Sequence, residues 1–264
     1  MILFEHPLSP YAQKVKIALR EKGLPFELSI PDGLGSGAGY RADFAEASPR
    51  IEVPALIDGE TRIFDSTIIL EYIEEKWPAP PLLPRTAAAR ARARMIEDAM
   101  DTHYEAINWG LIEIRFMGRI NDELAGQLRA KAAAQTAAWR RWLNAELGSA
   151  PWFGGDTFGW ADLSVVPYIN CSASFGLPPE ADTPLAAWLA RVNARPAVAR
   201  TAAEAADAIP TLEGLDELVR QGLFKREYRD HRLEWIIKSG GMQVVLDGMA
   251  KDNIRFSPDF DRPR

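Results

Sequence analysis

Four prolines, Pro78, Pro80, Pro81 and Pro84, fall within the seven residues 78–84. Proline has no N–H to donate and its ring clashes with the preceding helical turn, so no helix runs through this stretch. It divides the chain into two parts of different character. Before it, strand and helix signals alternate. "ILFE" (2–5) reads as a strand, and "YAQKVKIALREKG" (11–23) as a helix, with Val15, Ala18 and Leu19 on one face and Gly23 as its stop. "FELSI" (26–30) alternates like a strand. "VPALID" (53–58) and "RIF" (62–64) form a hairpin around Asp58-Gly59. "DSTIILEYIEEKW" (65–77) is a helix with Ile68, Ile69, Tyr72 and Ile73 turned inward. The resulting order, β-α-β-α-β-β-α, makes one small α/β unit.

After the prolines the pattern is helical throughout. Residues 86–118 and 122–148 are long and alanine-rich. Residues 161–176 are apolar enough for a buried helix, with a kink expected at Pro167. Residues 183–196 and 197–209 give two more helices. The expected organisation is an α/β domain over 1–77, a linker over 78–85, an all-helical domain over 86–209 and an extension over 210–264. The extension carries Leu215, Leu218, Leu223, Phe224, Leu233 and Trp235, too many large apolar groups for a disordered tail, so it is expected to be ordered and packed.

Charge and composition exclude several classes. The formal net charge is -6 and no run of five Lys/Arg occurs, which argues against nucleic acid as a partner. One cysteine, Cys171, allows neither a disulfide framework nor a Cys-rich zinc site within one chain; it reads as a buried, inert thiol. His6, His103 and His231 have no metal-ligand spacing, so no metal is expected. The glycine-rich loop "DGLGSGAGY" (32–40) lacks the Lys-Ser/Thr of a P-loop. "MILFEHPLSP" is too short and polar for a signal peptide, and no apolar run reaches membrane-spanning length. A cytoplasmic protein is the expectation.

Four stretches, in this order and spacing, resemble the glutathione S-transferase superfamily: "SPYAQKVKIALREKG", "VPALID", "FDSTIILEYIEEKWP" and "NARPAV". They span residues 1 to about 205, and the first is similar to serine-type, tau- and zeta-like classes. The resemblance implies a thioredoxin-like N-terminal domain followed by an all-helical C-terminal domain. It also implies glutathione as co-substrate, a homodimer, and transfer of the glutathione thiolate to an apolar electrophile. Other glutathione-dependent reactions share the same first domain: ether cleavage, dehalogenation, isomerisation or peroxide reduction. A non-catalytic binding or assembly module on the same fold is a further alternative. Omega-type thiol-disulfide exchange is disfavoured, because it needs cysteine where Ser9 stands.

By position alone Ser9 is the N-cap of the first helix, with Pro10 suited to the first helical turn. The resemblance implies a catalytic role: a hydroxyl beside the sulfur, near a helix N-terminus, that favours the thiolate. Tyr11 falls at the motif's aromatic position. The resemblance implies a cis Val53-Pro54 bond and glutathione contacts from Val53, Pro54, Asp65, Ser66 and Arg50. Asp65-Ser66 opens a helix, whose free N–H groups suit a carboxylate. Arg50 is the candidate for the glycyl carboxylate, although Glu52 stands before Val53. The second substrate is expected against Tyr11, Tyr104, Ile107, Trp109, Leu111, Ile112 and Phe116; the same stripe also reads as helix core. Asp162, in a segment where the family has a capping serine or threonine and this chain has Gly159, reads as a folding residue.

Overall fold

The computed structural model describes residues 1–35, 39–118, 120–224 and 231–251. Short strands β1 (Ile2–Phe4), β2 (Glu27–Ser29), β3 (Ala55–Asp58) and β4 (Thr61–Phe64) form one sheet in the order β2-β1-β3-β4. β1 runs parallel to β2 and antiparallel to β3, with Phe4 opposite Ala55. β3 and β4 are the expected hairpin. Helices α1 (Pro10–Glu21), α2 (Ala42–Ala47) and α3 (Ser66–Lys76) complete the βαβ-α-ββα order of a thioredoxin-like domain.

The all-helical domain follows: α4 (Ala87–Ala99), a π-turn (Met100–Tyr104), α5 (Glu105–Phe116), α6 (Asp122–Leu147), α7 (Trp160–Ser174), α8 (Pro184–Asn193) and α9 (Pro196–Ala208). A 3-10 turn (Ile209–Leu212) leads into α10 (Leu215–Arg220), α11 (His231–Lys238) and α12 (Met242–Ala250). One continuous apolar core runs through both domains, from Leu3, Val15, Leu19 and Ile69 to Leu143, Trp160, Tyr168 and Trp188. A smaller cluster on the other side of the sheet joins Phe4, Phe44, Ala47, Val53 and Ala55.

The proline-rich linker is locked by two buried charges. Three of its residues lack an N–H between 78 and 81, so its carbonyls need donors from elsewhere. Lys22 Nζ supplies them, donating to Trp77 O and Pro80 O at 2.7 Å each. Glu74 accepts from Leu82 N and Leu83 N at 3.0 Å and pairs with Lys22 at 2.8 Å. Further along, Leu82 O accepts from Trp160 N at 2.8 Å. That contact explains Gly159: a Cβ there would stand 2.5 Å from Leu82 O, so the usual capping hydroxyl cannot fit. Only the Asp162 half of the capping box remains, with Gly159 N donating to Oδ2 at 2.9 Å. Phe153 N and Trp188 Nε1 donate to Oδ1, so Asp162 serves the fold as expected.

Two apolar expectations change in the structure. Ile68 lies on the outer face of α3 and is 56% exposed, whereas Ile69 and Ile73 are buried. Of the apolar side chains expected to pack in the extension, Leu215 is buried, Phe224 and Leu233 are half-buried, and Leu218, Leu223 and Trp235 are exposed. The extension forms helices because local pattern suffices for that, but local pattern does not say which face finds a partner. The expected continuation of a helical or strand element beyond 251 lies outside the described residues. The helical segment 86–118 is interrupted by the π-turn, which adds one residue to the register.

Candidate functional site

A cleft of about 470 Å³ opens between the two domains. From the thioredoxin-like domain it is lined by Tyr11, Ser48, Arg50, Glu52, Val53, Pro54, Phe64, Asp65, Ser66 and Thr67. From the helical domain come Arg94, Glu97, Asp98, Asp101 and Thr102. The volume is in the range of small-ligand sites.

Val53 stands just before β3 and is joined to Pro54 by a cis bond. α3 begins at Ser66, with Asp65 as its N-cap in a left-handed conformation, φ 74°. Asp65 Oδ1 accepts from Thr67 N at 3.0 Å and Ile68 N at 3.3 Å. Both cap bonds go to Oδ1, while the carboxylate as a whole is exposed at the cleft. Ser66 is buried at the first helical position. Arg50 is exposed and lies over the Phe64 ring at 5.1 Å. The cleft therefore brings together an exposed guanidinium, the Val53 backbone and a helix N-terminus with an acid as its cap.

Ser9 does not line this cleft. It is half-buried at the start of α1, two residues before Tyr11, which does. Its Oγ accepts from Ala12 N at 3.3 Å, so it is a working N-cap. An accepting hydroxyl still has its proton to donate, so the cap and a sulfur contact are compatible. His6, in the same turn, also lies outside the lining. Its Nδ1 accepts from Leu8 N at 3.3 Å, and burial with the nearby Lys16 charge holds its pKa below 6.5.

The expected second-substrate residues are placed differently. Tyr104 is wholly buried, its hydroxyl 2.9 Å from Ser172 Oγ, and Leu111 is buried in the same domain. Ile107 packs on the main core. Trp109, Ile112 and Phe116 are partly exposed on α5 but do not line the cleft; of the expected set only Tyr11 does. The cleft-lining run Arg94, Glu97, Asp98, Asp101 and Thr102 ends inside the π-turn, and none of the lining residues lies on α5. The helical-domain wall is polar instead.

That wall rests on a buried ionic cluster which sequence reasoning missed. Lys14 Nζ, from α1, lies 2.5 Å from Glu97 Oε1, contacts Asp101 Oδ2 more closely and reaches Thr67 Oγ1 at 3.5 Å. Thr67 Oγ1 donates to Glu97 Oε1 at 2.8 Å, and Trp160 Nε1 donates to Glu97 Oε2. Tyr168 OH donates to Asp101 Oδ1 at 2.7 Å, and Tyr11 OH to the Asp101 carbonyl at 2.7 Å. Burial alone would lower the Lys14 pKa, but the Asp101 and Glu97 carboxylates overcome it and hold the ammonium above 10.5. The run Glu97-Asp98 followed by Asp101, at helical spacing, was the available clue. Cys171, expected to be buried, is half-buried by exposure; desolvation pushes its thiol up to about 12, which disfavours the thiolate.

Among the described residues no group of His, Cys, Asp and Glu could hold a metal ion, and no helix is long and apolar enough to cross a membrane.

A thioredoxin-like domain with a cleft at Val53 and the α3 N-terminus, backed by an all-helical domain, is the two-domain architecture of the glutathione transferases. Residues 3–81 match the family model for the glutathione S-transferase N-terminal domain, and residues 108–196 that for its C-terminal domain. The chain belongs to the glutathione S-transferase family. Glutathione S-transferase U28 of Arabidopsis thaliana is 32% identical over 216 residues, 77% of this chain and 89% of that protein. A stringent starvation protein A homolog of Haemophilus ducreyi is 28% identical over 64% of this chain and 73% of its own length. Among solved structures, rice GST1 in complex with glutathione superposes with a TM-score of 0.65 at 27% identity, over 80% of this chain and 96% of that one.

Proposed function

We propose that this chain binds glutathione in the interdomain cleft and transfers its thiolate to an electrophile. The observation that carries this reading is that one cleft gathers Arg50, the Val53 backbone, Asp65 and the N-terminus of α3. Arg50 would take one carboxylate. Val53 would offer its backbone to the peptide, as a strand edge does. The Ser66-Thr67 helix start would take the second carboxylate, and Asp65 the amine beside it. Glutathione carries two carboxylates, an amine and peptide groups. Ser9 would donate its hydroxyl to the sulfur and lower the thiol pKa, since the thiolate is the nucleophile. A homodimer fits the family, and the complex of the rice relative with glutathione supports the ligand.

The test is Ser9→Ala with glutathione and a generic aromatic halide. The expected result is a drop of about 100-fold in kcat/KM with near-unchanged glutathione affinity, as for loss of one donor to a developing or stabilised anion. Loss of the cap would cost about 1 kcal/mol of stability, so folding should survive. Unchanged turnover would remove Ser9 from the mechanism.

One observation favours a second reading. Ser9 lies outside the lining of the cleft that the other expected glutathione residues share. On that reading the fold is a binding or assembly module without turnover. Retention on immobilised glutathione with no conjugation of any halide would move the weight to it.

A further inference from the structure

The segment after α9 returns across the molecule and touches the thioredoxin-like domain. α10 ends in a Schellman turn: Gly222 is left-handed at φ 71°, Leu223 N donates to Leu218 O at 2.9 Å and Gly222 N to Val219 O at 3.1 Å. This turn redirects the chain at Phe224. The Phe224 ring lies directly against Gly35, in the loop between β2 and α2; a Cβ on Gly35 would run into the ring. Gly35 also has φ 82°, so both backbone and space require glycine there. At the other end Leu215 is buried, and Asp216 Cβ stands 3.1 Å from where a Gly118 Cβ would be, just past the end of α5. The segment is therefore pinned to both domains. The residue beside Gly35, Leu34, packs on the cluster of Phe4, Phe44, Val53 and Ala55. Val53 is the residue that lines the cleft.

We propose that residues 214–224 are an interdomain strap whose Phe224 holds Gly35 and the adjoining Leu34, just after β2, against the back of the wall carrying Val53. Phe224 is a positioning residue in this arrangement, since it is not among the residues that line the cleft. The extension then sets how often Leu34 is packed behind Val53 in the ligand-competent arrangement. Apparent affinity scales with that fraction. The part of the inference that concerns glutathione rests on the function proposed above.

The experiment uses the full chain and two variants, Phe224→Ala from the strap side and Gly35→Ala from the loop side. Trypsin cuts after Arg41, an exposed residue at the loop's far end, and this reports on the loop without any ligand. Either variant should speed that cleavage roughly tenfold, as for a local opening made easier. The double variant should be clearly less than additive, because the clash of the new Cβ with the ring disappears once Phe224 is alanine and only the backbone strain at φ 82° remains. Phe224→Tyr should behave as the parent chain. Calorimetric titration with glutathione should show a roughly fivefold weaker Kd in Phe224→Ala, with circular dichroism unchanged. Unchanged cleavage after Arg41 in both variants, or fully additive effects, would overturn the strap. Faster cleavage with unchanged glutathione affinity would overturn its link to the site. If the parent chain binds no glutathione at all, the proposed function fails while the cleavage measurements still decide the strap.

Discussion

Lys14 and Lys16 stand two residues apart on α1, and both side chains are fully buried. At 100° per residue they leave the helix on nearly opposite sides and meet different parts of the helical domain. Lys14 reaches α4 and the π-turn beneath the cleft, where both acids have further donors in Thr67, Trp160 and Tyr168. Lys16 lies 2.9 Å from Glu5 Oε2, at the end of β1, and 3.2 Å from Glu204 Oε2, on α9. The angles there are poor: Lys16 Nζ, Glu5 Oε2 and Glu204 Oε2 make no well-formed hydrogen bond. A buried ion pair is worth having only when good geometry and added hydrogen bonds offset desolvation. The cleft-side cluster meets that condition and the α9-side cluster meets it in part. Removing a partner should therefore cost most beneath the cleft.

The largest expected effect comes from Lys14→Met, which strands two buried carboxylates. Its cost should be about 3–5 kcal/mol, read as a fall in the urea midpoint at neutral pH. The same substitution at Lys16 should cost about 2 kcal/mol, because Glu204 keeps Arg20 at 2.5 Å and Glu5 can take up a proton. Equal losses in the two variants would break the comparison.

The pH dependence sharpens it. Burial raises the Glu5 carboxyl above 4.5, against the pull of Lys16. A carboxyl raised in the folded state contributes its stability below its unfolded pKa and loses it as pH rises through the folded value. Without Lys16 the folded value climbs further and the loss extends toward neutrality. Lys16→Met should therefore approach parent stability at about pH 5 and fall behind by about pH 8. Lys14 behaves in the opposite window. Its folded pKa is raised, so its contribution is complete below 10.5 and is lost only as pH rises through the higher folded value. The parent chain should owe its alkaline unfolding in part to Lys14, and Lys14→Met should lose that limb.

The smallest expected effect is that of Tyr11→Phe. It removes one hydroxyl from the Asp101 carbonyl and leaves the ring on Tyr168, so about 1 kcal/mol should be lost. A much larger loss would mean that the π-turn itself depends on this bond.

Much of the fold was legible because its determinants are local. Apolar spacing marks α1, α3 and α7, Asp58-Gly59 marks the hairpin, and clustered prolines mark the linker, where backbone chemistry forbids alternatives. The thioredoxin-domain side of the cleft was legible through the family motifs: Val53-Pro54 and Asp65-Ser66 occur at element boundaries, and the structure brings them together with Arg50. The helical-domain wall was not. Tyr104 and Leu111 look identical to pocket residues in a one-dimensional apolar stripe, and only tertiary packing decides that they face the core. Ser9 belongs to both cases, a cap by its bond from Ala12 N and a thiol partner by the function proposed.

By itself the sequence determined which segments become strands and helices, where the chain divides, and the family's motif at the site. These depend on dihedral preferences and on periodicities of a few residues. Tertiary structure alone decided that Lys14 and Lys16 are buried cations, that Gly159 must yield to Leu82, and that Phe224 meets Gly35. Each of those pairs residues far apart in the chain, where desolvation and steric contact exist only once the two domains have closed on each other.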